Sequence, residues 1–150
     1  MANDEHYLLN YALSLKNDGI CESKAFGLLL QEFNGVPYVW GGSSLNGSDC
    51  SGCVCTCLNV LFNKHIRVTA DTLYKKYFTE KVNEHAISAL FFLDTQDKAI
   101  HVAGYMGDGL YMNESSLEKY GAVPRTCEQM VMKYISFKPV LRSLGKGAWA

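Results

Sequence analysis

The stretch VPYVWGGSSLNGSDCSGCVCTCLNVLF, residues 36–62, decides the fold. Its first half is rich in Gly, Ser and Asn but holds two large aromatic residues, Tyr38 and Trp40, and this mixture predicts an ordered functional loop rather than a spacer. From Asp49 onward the chain is apolar on every side, which is typical of a helix that is buried all round. We therefore expect a glycine-rich loop that leads into a central buried helix.

Length and composition exclude several classes of protein. The chain has 150 residues, a usual size for one domain, and its 48% hydrophobic and 19% charged residues do not fit a disordered chain. Fourteen Lys+Arg against fifteen Asp+Glu give a net charge of −1, so we expect no nucleic-acid partner that depends on a basic excess. The longest clearly apolar stretch, residues 87–93, is far shorter than the roughly 20 residues of a membrane span.

The start of the chain and its cysteines bear on the compartment. The sequence MANDEHYLL is acidic and lacks an apolar core, so we expect no signal peptide and synthesis in the cytoplasm. Of the six cysteines, four lie within residues 50–57, and this clustering favours reduced thiols over a disulfide framework. No oligomeric state is predicted.

Outside the central stretch, helices precede strands. Apolar residues at helical spacing predict three further helices, over residues 4–15, 23–33 (capped by Ser23) and 70–78. Apolar runs then predict strands over residues 87–94, 98–106, 110–115 and 131–141, with Gly107-Asp108-Gly109 as a hairpin turn. This order predicts an α+β fold in one domain, residues 1–150, with a helical part at about 1–80 and an antiparallel sheet at about 87–142.

Cys50 is the candidate nucleophile. It falls in the first turn of the predicted central helix, where free backbone N–H groups and the helix dipole stabilise a thiolate and lower the thiol pKa. The glycine-rich loop before it allows backbone and substrate to approach the sulfur closely. The other thiols of the cluster, at Cys53, Cys55 and Cys57, are interpreted as small buried hydrophobic groups.

His101 is the candidate base, because it alone of the four histidines lies inside a predicted apolar strand. Its spacing is equally compatible with a hydrogen-bonded core histidine. A Cys–His pair needs a third group that holds the imidazole tautomer, and Asn113 is chosen, with its carbonyl oxygen accepting the Nδ1–H. Alternation gives two faces of this strand: Tyr111, Asn113 and Ser115 on one, Met112 and Glu114 on the other. Glu114 is the competitor, since a one-residue slip exchanges the faces, and a strand-end Asn without a role is the other alternative.

The motifs PYVWGG and DCSG, and the segment HVAGYMGDG followed by YMNES, resemble the NlpC/P60 family of papain-like cysteine peptidases. That family shows an aromatic-Gly-Gly loop, a D-C-S-G nucleophile turn, a histidine strand with a G-x-G turn, and a polar third residue, in this order. The match covers about residues 31–115, with a continuation to 141. The resemblance implies an endopeptidase or amidase that acts on bacterial peptidoglycan stem peptides, typically between γ-D-glutamate and a diamino acid.

The resemblance also implies roles for single residues. By position the nucleophile is Cys50 and the base is His101. The third residue is Asn113, at a position where the family usually has His and sometimes Asn or Gln. Tyr38 matches a tyrosine whose hydroxyl helps to hold the oxyanion and substrate. Asp49 and Ser51 match positions that line the substrate groove, and Asp49 is also a candidate partner for a substrate ammonium. No metal or other cofactor is implied.

The sequence departs from the family pattern in three respects. Cys53-Val54-Cys55 follows DCSG where the family favours Leu-Val, and His101 is followed by Val-Ala where Val-Gly is commoner. Asn stands at position 113 in place of the usual His, and it orients an imidazole but carries no charge. The chain carries no wall-binding repeat, so a phage or prophage origin is expected, with delivery to the wall by a phage tail or another non-Sec route.

Three other interpretations compete with a wall peptidase. A zinc module would use the cysteines at 50, 53, 55 and 57, with His65 as a further ligand, although zinc sites favour two separated Cys-x2-Cys pairs. A papain-like amidase or acyltransferase would use the same thiol on another substrate. A catalytically idle binding domain would keep the scaffold without the reaction.

Overall fold

A five-stranded antiparallel sheet with helices on both faces organises the chain in the computed structural model, which describes residues 2–149. The helices are α1 (Ala2–Asn17), α2 (Glu22–Gln31), α3 (Cys50–Phe62), α4 (Ala70–Thr72), which continues into a π-helical turn (Leu73–Tyr77), and α5 (Cys127–Lys133). The strands are β1 (Ser43–Ser44), β2 (Gly47–Ser48), β3 (Ser88–Leu93), β4 (Ala99–Gly107), β5 (Leu110–Asn113), β6 (Val123–Thr126) and β7 (Lys138–Ser143). The α+β prediction is confirmed.

The sheet separates two layers of core. Its strand order is β6-β5-β4-β3-β7, and β3 is buried at every position because both of its faces are covered. Phe91 and Val102 pack with α1, α2 and α3 in the larger core. Phe92 and Tyr111 pack with Tyr134, just after α5, in a smaller core on the other face. Alternation along β4 therefore turns His101, the register partner of Phe92, toward the smaller core.

The central helix forms as its sequence predicts. Asp49 is the N-cap of α3, and the eight residues that follow Cys50 are all buried. Asn63 ends the helix in the left-handed conformation, with a φ of 53°, which asparagine tolerates better than most residues. A glycine-rich loop and the small β1–β2 hairpin precede the helix.

Two details of the predicted elements are wrong. The strand predicted over residues 131–141 begins only at Lys138, because Thr126 and Gln129 form a reciprocal capping box that starts α5. The N-cap of α2 is Cys21, which makes no side-chain cap hydrogen bond, so Ser23 lies inside the helix instead of capping it. Strand β6 was not predicted. Among residues 2–149, no helix has the length and apolar character needed to cross a membrane.

Candidate active site

The start of α3 is held by one carboxylate. Oδ1 of Asp49 accepts a hydrogen bond from the Gly52 N–H at 2.7 Å, and Oδ2 accepts one from the Gly41 N–H at 2.9 Å. The Arg67 guanidinium donates to the same two oxygens at 2.7 and 2.8 Å. This arrangement joins the aromatic loop, the nucleophile turn and the segment after α3, and it sets the position of Cys50 between them.

Asp49 and Ser51 are already engaged within the protein. The Ser51 hydroxyl donates to Asp49 at 3.3 Å and accepts from Arg67 at 3.1 Å. Both side chains are buried, and both Asp49 oxygens have protein donors. Their geometry gives them a structural part in the turn, and their contact with substrate stays a prediction.

Cys50 lies where the sheet opens. Strand β5 pairs with β4 only over Gly104–Gly107, so the first half of β4 has no partner strand on that side. In this opening the Cys50 sulfur meets the backbone N–H of Val102, the residue after His101. Cys50 as a residue is partly exposed, although its thiol is largely buried. The contacts of residues 2–149 include no hydrogen bond between the thiol and the His101 ring. The thiol therefore lies beside the histidine strand and contacts its backbone.

The prediction of an acidified thiol is wrong for this state of the protein. Burial raises the pKa of Cys50 to about 11, and the N–H groups of Val102 and Ser51 offset only part of this shift. Desolvation disfavours the charged form more than the helix N-terminus favours it. The resting thiol is neutral.

The His101 ring is held at one edge and one face. Its Nε2 lies 2.7 Å from Oδ1 of Asn113, and its plane stacks on Tyr134 with ring centroids 4.4 Å apart. The predicted partner is thus in place, but it meets Nε2 and not Nδ1. Burial lowers the pKa of His101 to about 4, against upward contributions from its hydrogen bond to Asn113 and from the charge of Glu118. The resting imidazole is neutral.

Asn113 is itself fixed from behind. Its Nδ2 donates to Oε2 of Glu118 at 2.7 Å, and Arg125 binds the Glu118 carboxylate through two nitrogens at 3.0 and 2.7 Å. Lys133 lies 3.6 Å from the same carboxylate. Burial raises the pKa of Glu118, but the hydrogen bonds from Arg125 and Asn113 hold it below its ordinary value. Glu118 is therefore an anion within the protein.

Glu114 and Tyr38 lie on the other side of the site. Glu114 shares the α3 face with Met112, as alternation predicts, and is 1% exposed. Among the described residues neither of its oxygens has a hydrogen-bond partner, and burial raises its pKa to about 8. Tyr38 is half-buried, and burial raises its pKa, so its phenol is protonated. Of the two candidates for third residue, Asn113 contacts His101.

The remaining cysteines of α3 do not converge on one point. Cys53 and Cys57 interact with each other, whereas the Cys55 thiol donates to the Val68 carbonyl at 3.7 Å. All three are buried in the larger core. Over residues 2–149, no group of three or more His, Cys, Asp or Glu side chains has the arrangement of a metal site. The geometry gives these thiols the packing role that was predicted for them.

Four residues of the site were not found from the sequence: Arg67, Glu118, Arg125 and Tyr134. Each comes from a segment outside the motifs, and each is tied to the site by a hydrogen bond or a ring contact. The sequence carries one usable signal, the placement of Glu118 and Arg125 on either side of a turn. That signal identifies an ion pair without saying that it supports Asn113.

Comparison with known proteins identifies the scaffold. The structure resembles the NlpC/p60 domain of the peptidoglycan hydrolase SagA, with a TM-score of 0.59 and 20% identity over 79% of this chain and 95% of that one. It also resembles NlpC1 from Trichomonas vaginalis, with a TM-score of 0.62 and 20% identity. That match covers 84% of this chain but only 45% of the NlpC1 chain. At these identities the likeness shows the fold alone.

A further similar structure is described as non-catalytic. RipD from Mycobacterium tuberculosis, described as an NlpC/p60 domain protein adapted to peptidoglycan binding, matches with a TM-score of 0.56 and 17% identity over 81% of this chain and 95% of that one. The scaffold therefore does not guarantee a reaction. The model of the NlpC/P60 family itself matches residues 35–137, which include the thiol, the histidine and the asparagine. The chain belongs to the NlpC/P60 family.

Proposed function

We propose that this protein is a cysteine peptidase or amidase that hydrolyses amide bonds in peptidoglycan stem peptides, with the bond between γ-D-glutamate and a diamino acid as its target. The observation that carries the proposal is the 2.7 Å contact between Asn113 and His101, in the strand beside Cys50, a residue that is partly exposed. Family membership supports the substrate class.

The tautomer of His101 follows from its neighbours. An ionised Glu118 can only accept hydrogen bonds, so the Asn113 atom that faces it is the amide nitrogen. The amide oxygen of Asn113 then faces Nε2, which must carry the proton. Nδ1 is left with its lone pair and is the atom that can act as general base.

The reaction starts from neutral partners. Nδ1 of His101 takes the thiol proton while the Cys50 sulfur bonds to the amide carbon, and the carbonyl electrons move to the oxygen. The backbone N–H of Cys50 and the Tyr38 hydroxyl donate to that oxyanion, each worth roughly 3 kcal/mol by analogy with other oxyanion holes. The C–N bond then breaks, and the amine leaves with the proton from His101. Water, deprotonated by Nδ1, hydrolyses the thioester and returns the thiol.

A synthetic muropeptide that contains γ-D-glutamyl-diaminopimelate tests the proposal. We expect mass spectrometry to show cleavage at that bond by the native protein and none by Cys50→Ala. The matched control is Cys127→Ala, which removes an exposed thiol outside the site and should retain full activity. Full activity of Cys50→Ala would refute the proposal.

The raised thiol pKa favours one alternative, a binding domain without catalysis. In that case the native protein would bind the muropeptide and leave it intact. Cleavage of other amides or transfer of acyl groups, with the muropeptide untouched, would keep the thiol chemistry and change the substrate.

A further inference from the structure

We propose that Glu118 is a positioning residue that supplies, through Asn113, the negative charge that the third residue of the site lacks. The inference rests on the proposed function for its catalytic consequence. Its structural content, a charged relay behind the imidazole, is testable separately.

The relay is continuous in space. His101 contacts Asn113 at 2.7 Å, and Asn113 contacts Glu118 at 2.7 Å. Arg125 binds the Glu118 carboxylate at 2.7 Å. His101 and Asn113 are 5% and 0% exposed, and Glu118 is 8% exposed, so water does not compete strongly for these bonds. Hydrogen bonds between such buried partners hold one orientation of each side chain.

Glu118 determines the orientation of the Asn113 amide. An amide can present either its oxygen or its nitrogen to a neighbour, and both choices fit the same shape. A carboxylate accepts only, so it selects the amide nitrogen and turns the oxygen toward His101. That oxygen accepts from Nε2–H and keeps the lone pair on Nδ1, where the mechanism needs it.

Glu118 also contributes charge. When His101 takes the thiol proton it becomes a cation in a buried site, and a neutral Asn113 stabilises that cation weakly. The groups that face the ring and the relay are Cys50, Asn113, Glu118, Arg125, Lys133 and Tyr134. Among them, Glu118 carries the negative charge in the resting state. The two cations beside it keep it ionised.

Two substitutions separate orientation from charge. Glu118→Gln keeps an oxygen that can accept from Asn113 but removes the charge, whereas Glu118→Ala removes both. We expect kcat to fall about tenfold in Glu118→Gln and about a hundredfold in Glu118→Ala, with KM changed less than about twofold. The matched control is Glu128→Gln, which removes an exposed carboxylate of α5.

The imidazole tautomer gives a readout that does not depend on activity. We expect ¹⁵N NMR at pH 7 to show the Nε2–H tautomer of His101 in the native protein and in Glu118→Gln, and a mixture of tautomers in Glu118→Ala. If the native protein cleaves no muropeptide and the tautomer still shifts, the proposed function fails while the relay stands. An unchanged tautomer in Glu118→Ala, with kcat of both variants equal to that of Glu128→Gln, overturns the relay.

A rescue variant tests the charge directly. In the double variant Asn113→Asp/Glu118→Gln, the amide at 118 donates to a carboxylate at 113, so the hydrogen bond is kept and the charge moves next to the ring. We expect kcat to recover at least about fivefold over Glu118→Gln. The apparent pKa of the acid limb of the kcat/KM profile should be higher than in the native protein, because an anion next to the ring favours the protonated imidazole. Absence of both effects in a folded double variant would show that charge has no part in the relay.

Discussion

Cys50 and His101 are each subject to opposing influences. The first turn of α3 offers N–H groups to the sulfur, and Asn113 and Glu118 favour a protonated ring, yet burial prevails at both residues. With a thiol pKa near 11 and an imidazole pKa near 4, the proton of the pair lies on the Cys50 sulfur, and both groups are neutral. In the proposed reaction the first step is therefore proton transfer from the neutral thiol, and no preformed ion pair is required.

Glu114 makes the stability of the protein depend on pH. Its pKa is about 8 in the folded protein, against 4.5 ordinarily, so between these values the folded state binds more protons than the unfolded state. The free energy of unfolding that Glu114 contributes therefore falls as pH rises from 4.5 to 8. We expect Glu114→Gln to be more stable than the native protein at pH 8, by about 1–3 kcal/mol, and to lose this advantage at pH 5.

Urea unfolding at the two pH values measures the effect. The control is Glu84→Gln, whose carboxylate lies at the surface, with 85% of its side chain exposed. The free energy of unfolding of Glu84→Gln should be nearly that of the native protein at both pH 5 and pH 8. A Glu114→Gln advantage that is the same at pH 5 and pH 8 would contradict a raised pKa for this carboxyl group.

At the scale of elements, the start of α3 depends on contacts from two other segments. Asp49 caps the helix, and Arg67, which follows α3 in the chain, returns to bind it. Gly52 lies so close to the loop that a Cβ there would stand 2.1 Å from the Gly42 carbonyl oxygen. The loop, the cap and the helix therefore form one rigid unit around Cys50.

Removal of Arg67 should loosen this unit. Arg67→Ala leaves a buried carboxylate without its cation, and we expect a loss of about 1–3 kcal/mol in the free energy of unfolding. Arg67→Lys should recover little of it, because an ammonium cannot bind both oxygens of Asp49 in the planar fork geometry. Lys75→Ala, which breaks an exposed ion pair with Asp71, is the control and should cost less than about 0.5 kcal/mol. Equal losses in Arg67→Ala and Lys75→Ala would show that the Arg67–Asp49 ion pair is not needed for stability.

At the scale of the whole molecule, the site exists because the sheet is incomplete. Strand β5 leaves β4 after Met112, and the start of α3 reaches the backbone that this departure exposes. The thiol comes from the helical layer, while His101 and Asn113 lie against the smaller core. A fully paired β4 would keep the thiol away from the Val102 N–H.

The loop that precedes the nucleophile turn carries an exposed aromatic side chain. Trp40 is 86% exposed, although the backbone on both sides of it is held by hydrogen bonds to Ser48 and Asp49. Given the proposed function, we expect Trp40→Ala to raise KM for the muropeptide about fivefold and to leave the melting temperature unchanged, because a rigid exposed aromatic side chain contributes to binding and not to the core. Ile135→Ala, at a residue 71% exposed after α5, is the control for loss of exposed apolar area. An unchanged KM in Trp40→Ala would remove Trp40 from the binding surface.

Local patterns in the chain were enough to predict the helix at Cys50, the hairpin at Gly107-Asp108-Gly109 and the two faces of β5. These features depend on periodicity, caps and turn residues within a few positions of each other. Such interactions join residues that are neighbours in the sequence, so the sequence alone predicts them. The order of helices and strands followed for the same reason, and it led to the α+β class. The error at residues 131–141 arose where a short capping box outweighed an apolar pattern.

The protonation states of Cys50 and His101, the choice of Nε2 and the support from Glu118 depended on which distant segments meet. Burial of the thiol comes from the opening between β4 and β5, and the anion behind Asn113 comes from a segment that packs under α5. Desolvation and Coulomb interactions act through space over a few ångströms, irrespective of separation along the chain. Spacing in the sequence therefore selects the candidates for the reacting residues, whereas their charge and orientation are set by the folded surroundings.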